Sequence, residues 1–154
     1  MRFISAEKFA GPMSRTELLN FLKKEQVLMR LAMIDTEGYP IVHPVWFVFE
    51  DGEIWAAIER TSRKARLLKR HERVYFTIDK STPQPKGVRG RGIATLIDNS
   101  SLALEITKKH LLKYHGSLDD SFAKELLDAI PELIVVKVTP LYLASWDYSR
   151  TTRG

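Results

Sequence analysis

The chain has 154 residues, of which 44% are hydrophobic and 28% charged, as expected for one folded domain spanning residues 1–154 rather than a disordered chain. It contains no cysteine, which excludes disulfides, thiol nucleophiles and thiolate-bound metals, so any redox chemistry would depend on a bound cofactor. Its 24 Lys and Arg residues outnumber 19 acidic residues and give a net charge of +5, which predicts an anionic partner: nucleic acid, a membrane surface or a phosphorylated small molecule. No apolar stretch is long enough to span a membrane and the first 12 residues carry charges, so we expect a cytoplasmic protein.

The first part of the chain predicts one helix followed by strands. Ser14 and Glu17 form a capping box that starts an amphipathic helix at about residues 14–24. Three apolar runs then predict strands, which cover residues 27–34, 41–49 and 54–59. Turn residues separate the first two runs, and the pair Asp51-Gly52 separates the last two. We therefore expect three antiparallel neighbours joined by hairpins.

The rest of the chain predicts four more strands and three short helices. The strands are expected at residues 74–78, 88–97, 133–138 and 141–146, and the helices at 62–70, 99–114 and 119–130. Residues 80–86 contain two prolines and should form a loop, and Gly90 and Gly92 mark a bulge or a close approach of another backbone. Because hairpins join most strands, the pattern favours a mainly β (α+β) fold: an antiparallel barrel of six to seven strands with short peripheral helices.

The predicted strand at 41–49 is apolar on both faces. One face carries Phe47 and Phe49, and the other carries Val42, Trp46 and Val48. A small barrel needs only its inner face covered by apolar side chains. We therefore expect the outer face to meet a second subunit or a flat apolar ligand, and we predict a dimer.

The basic residues concentrate between Arg60 and Arg73, where seven of them stand against the single acid Glu72. If Thr61 or Ser62 caps the helix, Arg63, Lys64 and Arg66 lie in its first turn, where the helix dipole disfavours cations by roughly 0.3–1 kcal/mol each. A bound phosphate monoester would reverse that penalty. A solvated helix face and a nucleic-acid contact are the alternatives, the latter without a recognised DNA-binding motif to support it.

Taken together, the capped first helix, the segment Gly38-Tyr39-Pro40-Ile41-Val42-His43-Pro44-Val45-Trp46-Phe47, the Asp51-Gly52 turn and the element Ser62-Arg63-Lys64-Ala65-Arg66 resemble the pyridoxamine 5′-phosphate oxidase-like family. The resemblance covers about residues 14–97 and returns at Thr139-Pro140 and at residues 145–147. It implies an FMN-binding split β-barrel with a helical insertion at about 99–131. It also implies a homodimer with flavin sites at the subunit interface and hydride transfer through flavin N5.

The resemblance also implies which residues hold the cofactor. Arg63 and Lys64, with Ser62, would bind the flavin phosphate. The residues along the ribityl chain and the ring would be Val42, His43, Pro44, Val45 and Trp46, with Ala57 and Ile58 on the neighbouring strand. Much of that contact would come from backbone groups. The partner subunit would supply Lys86, Gly87, Val88 and Trp146.

Substrate and activity stay open at this point. Pyridoxamine phosphate oxidases carry an Arg-x-His element where this chain has Asp147-Tyr148-Ser149-Arg150, so we do not expect that substrate. No spacing of the four histidines suggests a metal site or a catalytic triad. His43 either polarises a substrate or flavin carbonyl or is a packed, hydrogen-bonded residue. The alternatives to an FMN-dependent oxidoreductase acting on a small molecule are a deazaflavin cofactor and a non-catalytic flavin carrier.

Overall fold

A computed structural model describes residues 1–7 and 10–151, with only the backbone at Thr151. The described chain forms ten strands, four α-helices and one 3-10 turn. The strands are β1 Arg2–Ser5, β2 Ala10–Gly11, β3 Met29–Ile34, β4 Pro40–Val45, β5 Val48–Glu50, β6 Glu53–Glu59, β7 Arg73–Lys80, β8 Lys86–Ile97, β9 Leu133–Pro140 and β10 Tyr142–Thr151. The helices are α1 Arg15–Lys24, α2 Arg63–Arg70, α3 Ser100–Tyr114 and α4 Ser121–Asp128, and the 3-10 turn is Ile130–Glu132.

Seven strands form one curled sheet in the order β4-β3-β7-β8-β9-β6-β5, and every pairing along this path is antiparallel. Strands β4 and β5 are consecutive in the chain but lie at opposite ends of the path. The curled sheet is therefore a split β-barrel, and the split lies between β4 and the strands β5 and β6. The prediction of a mainly antiparallel β fold with short peripheral helices is confirmed.

The predicted continuous strand at 41–49 is wrong. It is broken at Trp46 and Phe47, where the chain leaves one end of the sheet and crosses to the other. Phe47, Val48 and Phe49 are all buried, which a single half-buried strand with alternating faces does not allow. The first hairpin, β3 with β4, and the last, β5 with β6, form as predicted.

Strand β8 is long enough to serve three neighbours. It pairs with β7 on one side, and on the other its first half pairs with β10 and its second half with β9. A Cβ added at Gly92 would lie 2.7 Å from the Thr139 carbonyl oxygen, and one at Gly90 would overlap the Tyr142 carbonyl oxygen. The predicted close approach at these two glycines is confirmed, because no side chain fits between the crossing strands.

Two strands near the N-terminus were not predicted. Strand β1 pairs in parallel with β10, and the two-residue β2 pairs with β10 in the antiparallel sense. Neither segment has an alternating apolar pattern of useful length, so only the long-range pairing defines them. The strand predicted at 141–146 is correspondingly longer, reaching Thr151.

The apolar faces of α1 and α2 close the barrel. Leu18, Phe21 and Leu22 of α1 and Leu67 and Leu68 of α2 lie in the main core cluster. Helix α3 instead packs on β6 and β9 and forms a second cluster around Ala103, Ile130 and Val135. The helical segment predicted at 99–131 thus covers the outer side of the sheet. In the described residues, no helix is long and apolar enough to cross a membrane.

Candidate functional site in the barrel split

Strand β4 forms one wall of the split and presents a free edge to it. β4 pairs only with β3 in the described chain. Proline has no N–H, so Pro40 and Pro44 fit positions whose backbone points away from β3, and Val42, which shares their parity, points the same way. The free edge therefore offers one N–H, that of Val42, beside the carbonyls of Pro40, Val42 and Pro44. The missing donors prevent this edge from pairing fully with another strand.

The opposite wall is the second half of β6. Its first residues pair with β5, whereas residues 56–59 pair only with β9 in the described chain. Ile58 faces the barrel core and is 6% exposed, while Ala57 lies on the other face and pairs with Val135. The side chains of Ala57 and Ile58 thus point in opposite directions. Because the two side chains lie on opposite faces, only the backbone of Ala57 and Ile58 can line the same groove. Their predicted contact with a cofactor therefore remains a prediction about backbone groups.

Helix α2 begins at one end of the split, shortly after β6. The Ser62 hydroxyl accepts from the Ala65 N–H at 3.2 Å, and the Ser62 carbonyl accepts from the Arg66 N–H at 3.2 Å. These bonds leave the N–H groups of Arg63 and Lys64 without an intrahelical partner. The first turn of α2 contains no acidic residue. The N-cap that the sequence predicts is therefore present, and the helix start combines free donors with two cations.

The cations of α2 lie beside β4 and its hairpin. Partial desolvation and the positive charge of Lys64 both lower the pKa of His43 in the middle of β4. The Arg63 guanidinium lies 3.6 Å from the Asp35 carboxylate in the turn between β3 and β4. Asp35 also accepts the N–H groups of Glu37 and Tyr39, so this carboxylate is held by its own turn. The structure therefore brings the predicted phosphate-binding residues and the predicted ring-binding strand together.

The other predicted residues form a separate group on β8 and β10. Trp146 pairs with Gly87, and Ser145 pairs with Val88. Lys86 pairs with Asp147, whose pKa is lowered mainly by hydrogen bonds from Ser149 against the opposing effect of burial. Within the chain, the order β4-β3-β7-β8 places two strands between this group and the β4 wall of the split. The structure thus brings Lys86, Gly87, Val88 and Trp146 together, but not with Arg63 and Lys64 of the same chain.

The far end of β4 enters a packed crossover. The Trp46 ring lies parallel to the Tyr114 ring of α3, with 5.0 Å between centroids, and meets the His110 ring edge-on at 6.3 Å. The family resemblance implies a place for Trp46 in the cofactor groove, whereas no sequence motif assigns a role to Tyr114 or Lys113. The sequence pattern predicts that α3 is a helix, but a helical pattern does not reveal which strand the helix covers. The contacts of Tyr114 and Lys113 therefore could not be predicted.

Burial shifts the titration of three side chains at this crossover. It lowers the pKa of His110 to about 4, an effect partly offset by the hydrogen bond between Nε2 and the Trp55 carbonyl at 3.2 Å. It also lowers the pKa of Lys113 to about 8 and raises that of Tyr114 to about 12. At neutral pH His110 is therefore uncharged and donates through Nε2, while Lys113 keeps its charge.

The outer face of β3, β4, β7 and β8 carries an open apolar groove. Val42, Ala32, Tyr75 and Arg91 form one row of paired residues across these strands. Val42 is 57% exposed, and a cavity of about 630 Å³ lies beside this row, with Arg73 and Arg91 among its lining residues. This face adjoins the β4 wall of the split.

The sequence pattern of the family described as pyridoxamine 5′-phosphate oxidase matches residues 15–147. The chain therefore belongs to the pyridoxamine 5′-phosphate oxidase family, as the sequence motifs predicted. Among curated proteins, no sequence matches the chain closely enough to identify a relative.

Three solved structures illustrate the shared fold. A conserved hypothetical protein from Mycobacterium tuberculosis is 23% identical, with a TM-score of 0.80 over 94% of this chain and 91% of the other. A protein named F420 reductase is 17% identical, with a TM-score of 0.66 over 81% of this chain and 94% of the other. A FAD-binding protein from Mesorhizobium loti is 17% identical, with a TM-score of 0.64 over 88% of this chain and 96% of the other. At these identities the likeness concerns the fold.

Proposed function

We propose that the protein is an FMN-dependent oxidoreductase that binds its cofactor in the split of the barrel. The observation that carries this proposal is the approach of the α2 start to the β3–β4 turn, where the Arg63 guanidinium lies 3.6 Å from the Asp35 carboxylate just before the free edge of β4. A flat ring with a phosphorylated side chain matches an open strand edge that ends at a cationic helix start. Membership of the family and the cofactors in the names of two structural neighbours support the same proposal.

In this proposal the chain binds and orients the flavin, and the bound flavin supplies hydride transfer at N5. The free N–H groups of Arg63 and Lys64, their side chains and the Ser62 turn hold the phosphate. The Asp35 carboxylate binds one side of the Arg63 guanidinium, which has further donors left for the phosphate. The pyrimidine edge of the flavin ring carries a donor between acceptors. The Val42 N–H can donate to such an acceptor, and a β4 carbonyl can accept from the donor.

The proposal includes a homodimer with a site at each end of the subunit interface. The apolar outer face beside β4, with Val42 57% exposed and Leu141 49% exposed, is the face that a second copy would cover. A partner placed there would bring its own Lys86, Gly87, Val88 and Trp146 toward the split. This arrangement gives the separate β8–β10 group a function that a single subunit does not provide.

The test is a titration of the purified protein with FMN and with riboflavin, followed by the visible absorption and fluorescence of the flavin. The double variant Arg63→Ala, Lys64→Ala should weaken FMN binding by roughly 3 kcal/mol or more, about a hundredfold, because charged hydrogen bonds contribute roughly 1.5–3 kcal/mol each. Its affinity for riboflavin should stay the same, because riboflavin has no phosphate. The matched control is Lys69→Ala, Arg70→Ala in the last turn of the same helix, which should change neither affinity.

Two outcomes would contradict the proposal. If the wild-type protein binds neither flavin, the proposed cofactor is wrong. If the wild type and the Arg63, Lys64 variant bind FMN equally well, the proposed phosphate site is wrong. Sedimentation of the flavin-bound protein tests the dimer. Bleaching of the bound flavin by reduced nicotinamide without oxygen would support a reductase, whereas a stable flavin without turnover would favour a carrier.

A deazaflavin is the second candidate cofactor, and the neighbour named F420 reductase is the observation that favours it. The same phosphate site would serve both cofactors, so the Arg63, Lys64 variant does not separate them. Competition between FMN and a deazaflavin for the purified protein does. Tighter binding of the deazaflavin by wild type would replace FMN in the proposal and leave the site unchanged.

A further inference from the structure

Helix α3 holds the crossover between β4 and β5 through the backbone of the crossover itself. The Lys113 ammonium donates to the carbonyl oxygens of Phe47 at 3.1 Å and Leu22 at 3.3 Å. The Tyr114 hydroxyl donates to the Val27 carbonyl at 2.8 Å and accepts from the Phe47 N–H at 3.3 Å. Phe47 belongs to neither strand, so no ladder satisfies its backbone groups. Two consecutive residues of α3 satisfy both of them.

The same turn of α3 fixes the side chains of the crossover. The Tyr114 ring is nearly parallel to the Trp46 ring, at an interplanar angle of 7°. The Lys113 ammonium lies 3.7 Å from the centre of the Phe47 ring, a cation–π contact. Because Trp46 directly follows Val45, any displacement of Trp46 moves the last residues of β4.

We propose that Lys113 and Tyr114 are positioning residues for the ring end of the cofactor groove, acting through Trp46 and Phe47 on the β4 edge. The inference rests on the proposed function, because it takes β4 as the strand along which the flavin ring lies. It gives the α3 segment a specific role, since the helix sets the distance between the end of β4 and the wall formed by β6. Neither Lys113 nor Tyr114 touches the cofactor.

The chemistry of Lys113 supports a role beyond filling space. Lys113 is half-buried, and its ammonium binds carbonyl oxygens rather than a carboxylate, which is a costly way to occupy this volume. A methionine of similar length would fill the space without that cost. The lysine adds two directed bonds to backbone carbonyls, which fix the crossover in one position.

The experiment compares Lys113→Met and Tyr114→Phe with wild type in their affinity for FMN and for riboflavin. We expect each variant to bind both flavins about tenfold more weakly. A displaced β4 edge would lose about one well-made hydrogen bond to the flavin ring, which corresponds to an effect of this size. The ratio of the two affinities should stay constant, because the phosphate end is untouched. This result differs from that of the Arg63, Lys64 variant, which loses FMN affinity alone.

Lys109→Met is the matched control. Lys109 lies one turn earlier on α3 and pairs with Glu50 at 2.6 Å, and none of its described bonds goes to the crossover backbone. This variant should keep both flavin affinities within about twofold of wild type. A loss as large as that of Lys113→Met would show that any weakening of α3 has the same effect, and would overturn the proposal.

A measurement without cofactor separates this inference from the proposed function. The emission of Trp46, obtained by difference against Trp46→Phe, should shift to longer wavelength in both variants as the ring loses its packing. Unchanged flavin affinities would overturn the positioning role, whether or not the emission shifts. If wild type binds neither flavin, the proposed function fails, and the Trp46 emission alone decides whether α3 holds the crossover.

Discussion

At its N-terminal end β4 meets the start of α2, where charged side chains lie exposed, whereas at its C-terminal end it enters a crossover packed beneath α3. At the first end the Arg63 side chain is 58% exposed and its ion pair with Asp35 spans 3.6 Å. At the second end Phe47 is completely buried and Trp46 is stacked on Tyr114. Exposed ion pairs contribute only about 0–1 kcal/mol, while large buried aromatics contribute several. The exposed charges at the first end are therefore available to a ligand, whereas packing at the second end stabilises the fold and holds β4 in place.

The two helices that close the barrel show the same contrast. α1 begins with a capping box of Ser14 and Glu17 and ends with Lys23 and Lys24, so its charges complement the helix dipole. α2 has a similar serine cap but no acid in its first turn. A helix optimised for stability alone would carry an acid in its first turn and bases in its last turn, as α1 does. The proposed anion site at the start of α2 would account for this departure.

Replacing Trp46 by alanine should give the largest effect on stability. The ring contacts Tyr114, His110 and Phe122, so its removal should lower the free energy of unfolding by about 3 kcal/mol, the low end for a buried tryptophan because Trp46 is half-buried. Arg63→Ala should change it by no more than about 0.5 kcal/mol. Urea unfolding of both variants checks this, and equal losses would abolish the distinction between the two ends of β4.

Acidification should weaken the crossover end through His110. Its pKa is about 4 in the folded protein against 6.5 for an exposed histidine, so between these values the unfolded chain binds more protons. The free energy of unfolding should therefore fall as pH drops from 6.5 toward 4, by at most about 3 kcal/mol from this group, since each pKa unit corresponds to about 1.4 kcal/mol.

Urea unfolding of wild type and His110→Gln at several pH values in this range measures the effect. The variant keeps a donor for the Trp55 carbonyl and has no titrating ring, so its stability should fall less on acidification. If the stability of the two proteins fell equally with pH, the pKa of His110 would be the same in the folded and unfolded states. The contribution of the crossover would then have to come from packing alone.

Local pattern in the sequence predicted most of the elements that meet at the split. The Ser62 cap, the cations that follow it and the β3–β4 hairpin all depend on neighbours within a few residues, and all are present in the structure. The break at Trp46 and Phe47 could not be predicted, because an apolar run of nine residues fits one strand as well as two. The break depends on how a curled sheet closes.

Contacts between distant segments account for the rest. The Lys113 bonds to Leu22 and Phe47 join residues 91 and 66 positions apart. No periodicity within α3 indicates such partners, since a lysine in an amphipathic helix ordinarily faces water. The parallel pairing of β1 with β10 joins the two ends of the described chain in the same way.

The smallest effect should come from Lys64→Glu, and its sign is the informative part. An acid in the first turn of α2 would complement the helix dipole, so the protein without cofactor should gain roughly 0.3–1 kcal/mol of stability. The matched variant Lys69→Glu, in the last turn, should lose stability, because there a cation is favoured and Lys69 also interacts with Asp98. Loss of the Lys64 charge should in addition raise the pKa of His43 toward its ordinary value, which NMR titration of the ring would record. Stability changes of the same sign in the two variants would mean that the start of α2 carries no dipole penalty, and the case for an anion there would lose its physical basis.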